Sequence, residues 1–323
     1  SKDKPIQEIL PKGELVYPLS QHIGAPAKPI VAKGDRVLAG QKIAESVGFV
    51  SAPVHASVSG TVKSIEPRRV VTGEQVMSII VENDGLYEDV GFYPVAPVEK
   101  LDREEILQII NEAGIVGMGG AGFPTHVKLS PKEPRKIEYV IANCAECEPY
   151  LTSDYRRMKE EPDKQIGGLK MLLKLFGNAQ GILAVEDNKP DCVALLKQLT
   201  RDEKRLSVRA LKTKYPQGAE RQLIYAVTGR KINSSMLPAD VGCVVNNVDT
   251  LVSVFRAVAE GRPLMERIVT VTGDAIVNPR NFRVRIGTNY RELAEEAGGF
   301  RGEPAKIICG GPMMGFGMFD LNV

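Results

Sequence analysis

The 323-residue chain has no tryptophan, three histidines and five cysteines. An odd, sparse cysteine count does not build a secreted disulfide framework, and it favours a reducing, cytoplasmic setting. No run of cysteines has the spacing of a four-thiolate cluster. Cys144 and Cys147 form a C-x-x-C with no second C-x-x-C or C/H pair to complete it, so no zinc or other metal site is expected. His22, His55 and His126 lack the carboxylate spacing of a triad or a metal centre. An excess of charge is missing as well. Forty-two basic against forty acidic residues leave +2, which gives no patch for nucleic acid or a membrane surface. No apolar stretch approaches the roughly 18 residues of a membrane helix. What remains is 43% apolar and 25% charged, which excludes disorder and fibrous architectures. A chain of this length holds roughly two or three compact units.

The composition changes near Pro94 and Pro97. The earlier stretch is rich in Val, Pro, Gly and Ser, with short alternating runs such as Val58–Val62 and Met77–Val81. Gly34-Asp35, Gly60-Thr61 and Gly73-Glu74 read as turns, so residues 1–95 read as a small all-β module. Beyond it, Asp102 and Glu105 form a capping pair ahead of a helical face ending at Gly114. Strand-like Ile137–Ala142, Gly181–Val185 and Leu206–Ala210 alternate with helical segments at about 163–176, 190–200 and 219–228, which predicts a parallel or mixed α/β unit. Asp249–Glu260 reads as another helix. Strands at Ile268–Thr272, Phe282–Ile286 and Lys306–Cys309, with a short helix at Tyr290–Ala297, predict a small α+β unit.

Four segments carry chemistry. Gly117-Met118-Gly119-Gly120-Ala121-Gly122-Phe123-Pro124-Thr125 exposes backbone N–H groups that could cradle a phosphate or let a flat ring approach, and Lys128 supplies a cation. It satisfies G-x-G-x-x-G but follows a helix, whereas the dinucleotide fingerprint follows a strand. A plain inter-helix loop is the alternative. Asn143-Cys144-Ala145-Glu146-Cys147-Glu148-Pro149-Tyr150 follows a strand end, where ligands gather in open α/β sheets. Its neighbouring carboxylates would raise thiol pKa values, so small residues beside a ligand fit it better than a redox dithiol does. Lys214–Arg221 and Val244–Thr250 are the others, and there Asp249 could be a helix cap only. Gly310-Gly311-Pro312-Met313-Met314-Gly315 reads as packing rather than ligation.

In this order, these segments resemble the flavin-binding, NADH-oxidising subunit of respiratory complex I. They resemble still more the family of C subunits of Rnf ion-translocating ferredoxin:NAD oxidoreductase complexes. Residues 119–128, 145–152 and 310–315 carry the second likeness, with Pro18–Gly24, Val31–Ile43 and Ala56–Val62 at the front. The resemblance covers essentially the whole chain. It implies an α/β multidomain protein: a biotinyl/lipoyl-like β hammerhead over 1–97, an FMN/NADH-binding α/β domain over 98–261 and an SLBB-like β-grasp unit over 262–323. It further implies FMN held by Gly117, Gly119, Gly120, Lys128, Asn143, Glu146, Tyr215, Gly218, Asn246, Asn247 and Thr250, with Phe123, Glu148 and Glu220 near NADH. No protein acid or base is expected, because the flavin carries the redox chemistry.

The implied activity passes electrons between NAD(H) and iron–sulfur clusters or ferredoxin. The implied place is peripheral, among the other subunits of a complex on the inner face of the bacterial cell membrane. Ala145, Cys147 and Ala219 depart from the complex I pattern, and Cys144 stands where a small residue is usual. Proteins of the Rnf type continue into a ferredoxin-like domain with two [4Fe–4S] clusters, which needs about eight cysteines. The clusters are therefore expected only in a region these 323 residues lack, making the chain the flavin-bearing front of a longer protein. The hammerhead shows no carrier lysine between paired strands, so a lipoylated or biotinylated carrier is not expected. Two other readings remain: a cobalamin reductase with the same flavin and β-grasp domains, and a docking scaffold that has lost FMN.

Overall fold

The computed structural model describes residues 1–323. After β1 (Gln7–Ile9), the front module folds as two sheets. One runs β2-β8-β7-β4 (Glu14–Pro18, Gln75–Asn83, Gly60–Arg69, Arg36–Val37) and the other β3-β5-β6 (Lys28–Pro29, Lys42–Glu45, Val54–His55). Period-two burial in β2 turns Leu15 and Tyr17 inward onto Val37, Ile43, Ile79 and Val81. Burial pushes the Tyr17 hydroxyl up to about 12, and it hydrogen-bonds Ser57. Gly60-Thr61, read from sequence as a turn, instead opens β7. There the partner strand comes so close that a Cβ on Gly60 would lie 2.1 Å from the Glu82 carbonyl.

The middle unit is α1 (Arg103–Glu112), α2 (Thr125–Lys128), β9 (Tyr139–Cys144), α3 (Ser153–Glu160), α4 (Pro162–Lys174), β10 (Gln180–Glu186), α5 (Pro190–Leu199), β11 (Leu206–Leu211), α6 (Glu220–Thr228), β12 (Cys243–Asn247) and α7 (Val248–Glu260). Its four strands are all parallel, in the order β11-β10-β9-β12. One face buries Val140, Ala142, Leu183, Val185 and Val244 against α1, α4, α5 and α7. The other buries Ile141, Ala184 and Val245 against Leu223 and Ile224 of α6. Helix α4 crosses α7 so closely at Gly168 that a Cβ there would lie 2.0 Å from the Leu251 carbonyl.

The tail is β13 (Glu266–Val271), β14 (Arg280–Arg285), α8 (Tyr290–Glu296), β15 (Ile307–Cys309) and β16 (Phe316–Met318), the last two forming a small antiparallel hairpin. Strand β1 pairs in parallel with β14, and Ile9 packs with Phe282 and Val284, so residues 7–9 add a strand to the C-terminal sheet. No helix is long and apolar enough to cross a membrane.

Candidate functional site

The chain runs β9, β10, β11 to one side of the central sheet and returns to place β12 on the other side of β9. The carboxyl ends of β9 and β12 therefore flank a topological switch point, the crevice where open α/β sheets bind ligands. Strand β9 extends two residues beyond the expected run, so Asn143 and Cys144 lie in it, and Asn143 is in register with Asn247.

The glycine loop closes over this crevice. Gly117 N donates to Phe123 O at 2.9 Å, Val116 bridges Pro124, and Met118 N donates to Thr250 Oγ1 at 3.0 Å on the first turn of α7. The amides of Gly119 and Gly120 have no hydrogen-bond partner within the protein. A Cβ on Gly119 would lie 2.7 Å from Asn247 Nδ2, whereas one on Gly120 would project into open space. The neighbouring units brace the loop. Arg267 of β13 donates to Met118 O, and from the hammerhead Phe49 O lies 3.0 Å from His126 Nε2.

Asn143 Nδ2 donates to Gly218 O at 2.9 Å, and Gly218 N reaches Cys147 Sγ at 3.4 Å. A Cβ on Gly218 would lie 2.4 Å from Ala145 O, which explains glycine there. Tyr215 is 40% exposed beside them. Lys128 Nζ sits between Glu220 Oε1 at 2.9 Å and Val245 O at 3.0 Å, joining the glycine loop to α6 and β12. This ion pair is partly solvated, so an incoming anion can displace Glu220 at small cost.

A layer of acids lies beneath. Glu146 spends both oxygens on the start of α3, accepting from Asp154 N at 2.9 Å, Tyr155 N at 3.2 Å and Ser153 Oγ at 3.3 Å. Asp154 accepts from Asn247 Nδ2 at 2.7 Å, and Asn247 Oδ1 caps α7 through Asp249 N at 2.8 Å. Desolvation, then the charges of Glu146 and Asp249, holds Asp154 well above the usual carboxylate range, and desolvation raises Glu146 as well. Cys144 faces the core, accepts from Gln165 Nε2 at 3.0 Å, and has its thiol pushed up by burial and then by Asp154. It is a packing residue, which accounts for a cysteine in that place.

Glu148 lies apart from this layer, on the loop that follows β9. Its carboxylate accepts from Met313 N at 3.1 Å and Met314 N at 2.7 Å.

The site fits FMN on its own chemistry. The free amides at 119 and 120 belong to a loop that packs on the N-terminus of the thirteen-residue helix α7 through Met118 N to Thr250 and Gly119 beside Asn247, and a helix N-terminus is a site for phosphate. Two buried polar atoms at the sheet end, Asn246 Nδ2 and Gln217 Oε1, have no protein partner. Each costs about 1–3 kcal/mol until something pairs with it.

Comparison with known proteins agrees with the geometry. Residues 110–256 match the family described as the Nuo51 FMN-binding domain, 1–86 the RnfC barrel sandwich hybrid domain, and 268–317 the SLBB domain. The chain is 48% identical over 310 residues to the C subunit of the Na(+)-translocating ferredoxin:NAD(+) oxidoreductase complex of Acetobacterium woodii, covering 96% of this chain and 70% of that one. The chain belongs to the family of C subunits of ion-translocating oxidoreductase complexes.

Other members of this C-subunit family are the proton-translocating ferredoxin:NAD(+) oxidoreductase protein of Clostridium ljungdahlii, 47% identical over 99% of this chain and 70% of that one, and the ion-translocating oxidoreductase protein of Pseudomonas aeruginosa, 41% identical over 99% and 41%. A crystal structure of an NAD+-reducing [NiFe]-hydrogenase in the H2-reduced state shares the fold, with a TM-score of 0.54 at 23% identity over 66% of this chain and 43% of that one. The expected three-part α/β architecture is borne out, and as a member of the C-subunit family the chain is part of an oxidoreductase and carries an FMN-binding domain.

Sequence reading missed the supports of the C-subunit site. Asp154, Arg157 and Arg267 all act across long sequence separations. The one local signal was Glu146 standing seven residues before Ser153, where a helix opens.

Proposed function

We propose that this chain holds FMN at the β9/β12 crevice and passes electrons between NAD(H) and the iron–sulfur partners of a membrane-associated ferredoxin:NAD oxidoreductase complex. The observation that carries the proposal is the glycine loop itself, packed on the α7 N-terminus with two free amides, and with buried unpaired polar atoms alongside. Gly119 and Gly120 would receive the phosphate in a loop that Gly117 closes through Phe123 O, and Lys128 would supply positive charge once it leaves Glu220. Thr250 accepts from Met118 and keeps its own hydroxyl hydrogen to donate. Asn143, Asn246, Gln217, Gly218 and Tyr215 would border the ring, while Asn247 holds the loop and α7 in register. Glu146 serves by fixing α3, and so Asp154 beneath Asn247.

FMN supplies the exchange between two-electron transfer with a nicotinamide and one-electron transfer with iron–sulfur centres. The protein's part is to fix the ring, shape the nucleotide face with Phe123, Glu148 and Glu220, and exclude water. The [4Fe–4S] clusters, the other subunits, ferredoxin and the inner face of the cell membrane are the setting this reading implies. Titration of the purified chain with FMN, followed by an NADH–ferricyanide assay, tests it. Stoichiometric flavin binding with NADH oxidation supports it. No flavin bound and no NADH oxidised would leave a docking scaffold as the better reading.

A further inference from the structure

We propose that the Gly310–Gly315 turn is a latch on Glu148, and that the nicotinamide nucleotide releases it by taking the same carboxylate. This deepens the proposed function and rests on its placement of Glu148 at the nucleotide face.

Both oxygens of Glu148 are engaged by consecutive main-chain amides, Met313 N at 3.1 Å and Met314 N at 2.7 Å. The turn is shaped around that carboxylate. Gly311 has φ +94°, and a Cβ on it would lie 2.7 Å from Glu148 Oε2. Gly315 N closes the turn on Gly311 O at 2.9 Å, and a Cβ on Gly315 would lie 2.4 Å from that oxygen. This accounts for the glycines of a motif read from sequence as packing. The loop that carries Glu148 borders the crevice, because its Ala145 and Cys147 touch Gly218.

The latch is light enough to open. Strands β15 and β16 have three residues each, and Met313, Met314, Phe316 and Phe319 are 52%, 73%, 57% and 87% exposed. Elements with so little buried surface open at low free-energy cost. A bound diol or amide that pairs with the carboxylate therefore competes with the turn on comparable terms, and the hairpin moves when the nucleotide arrives.

The test uses the FMN-loaded chain with NAD+, which oxidised flavin does not consume. Calorimetry measures NAD+ affinity, and amide hydrogen exchange reads Met313 and Met314. The expected result is protected amides with FMN alone and exchange faster by about tenfold or more once NAD+ saturates the site. Gly311→Ala, which pushes the turn off the carboxylate, should tighten NAD+ binding about three- to tenfold by removing the competitor. If NAD+ binds while both amides stay protected, the latch is wrong and the nucleotide site stands. Unchanged or weaker NAD+ binding in a folded Gly311→Ala chain would overturn the latch in the same way. Failure of NAD+ to bind the flavin-loaded chain would overturn both readings. Should Gly311→Ala misfold, exchange in the unaltered chain still decides.

Discussion

Arg157 Nε and Nη2 both reach Asp249 Oδ1, at 2.7 and 2.6 Å, with the arginine side chain only 2% exposed. The pair ties α3 to the first turn of α7, the turn that carries Thr250 and receives the glycine loop. Arg157 also meets Glu161, which pairs with Arg256 at 2.8 Å and Arg283 at 3.0 Å, so the flavin-binding unit is locked to the β13–β14 sheet. Arg256 and Arg283 in turn hold Glu266 down at about 2, against its desolvation. Arg157→Leu leaves Asp249 buried without its cation and should cost about 3–5 kcal/mol. Urea denaturation measures the loss. Adding Asp249→Asn should restore part of it, because the stranded charge is then gone.

The adjacent glycines 119 and 120 should behave differently. A Cβ at 119 meets Asn247 Nδ2 at 2.7 Å, so Gly119→Ala should lower the melting temperature even without flavin. A Cβ at 120 meets nothing, so Gly120→Ala should leave the flavin-free protein about as stable as before. Gly120→Val should nevertheless abolish flavin retention by blocking main-chain approach, which visible absorbance after gel filtration reads directly. Full FMN occupancy in Gly120→Val would show that the loop is not the site.

Asn247→Ala removes two bonds at once, the α7 cap to Asp249 N and the support to Asp154. Loss of the cap alone costs about 1 kcal/mol. Thermal unfolding should show at least that, with weaker flavin binding in fluorescence titration.

Asp154 sets a pH dependence. Its folded-state pKa lies above the ordinary 3.8, from desolvation and then the charges of Glu146 and Asp249, opposed by the Asn247 bond and Lys189. A raised carboxyl binds its proton more tightly folded than unfolded. Its unfavourable contribution is therefore absent below about pH 3.8 and grows as pH rises through the folded value. Asp154→Asn keeps an oxygen to accept from Asn247 and removes the charge. Its melting temperature should match the parent chain at low pH and exceed it increasingly towards neutrality. A constant offset across pH would contradict this account of the acid layer.

Local signals carried much of this molecule. The Asp102/Glu105 capping box forms with both reciprocal bonds, and the helices from α4 to α8 lie within a residue or two of their expected bounds. Glycine and asparagine pointed to the crevice because close main-chain approach and strand-end amides leave a mark in residue type. Helix α3 was illegible, because Ser153–Glu160 holds only Tyr155 and Met158 as larger apolar residues and its opening depends on Glu146 from outside. The pairing of β1 with β14 was illegible too, since three residues near one end of the chain say nothing of a partner some 270 positions away. Glu148 looked like a ligand residue, and its grip on the 310–315 turn could not be read without the fold.

The central claim is that the crevice between β9 and β12 holds a flavin that a nicotinamide nucleotide can reduce. Anaerobic addition of NADH to the FMN-reconstituted chain, followed by visible absorbance, tests it most directly. The flavin band should bleach within the mixing experiment, and Gly120→Val should show no flavin band to bleach. A stably bound flavin whose band stays unchanged under excess NADH would contradict the claim.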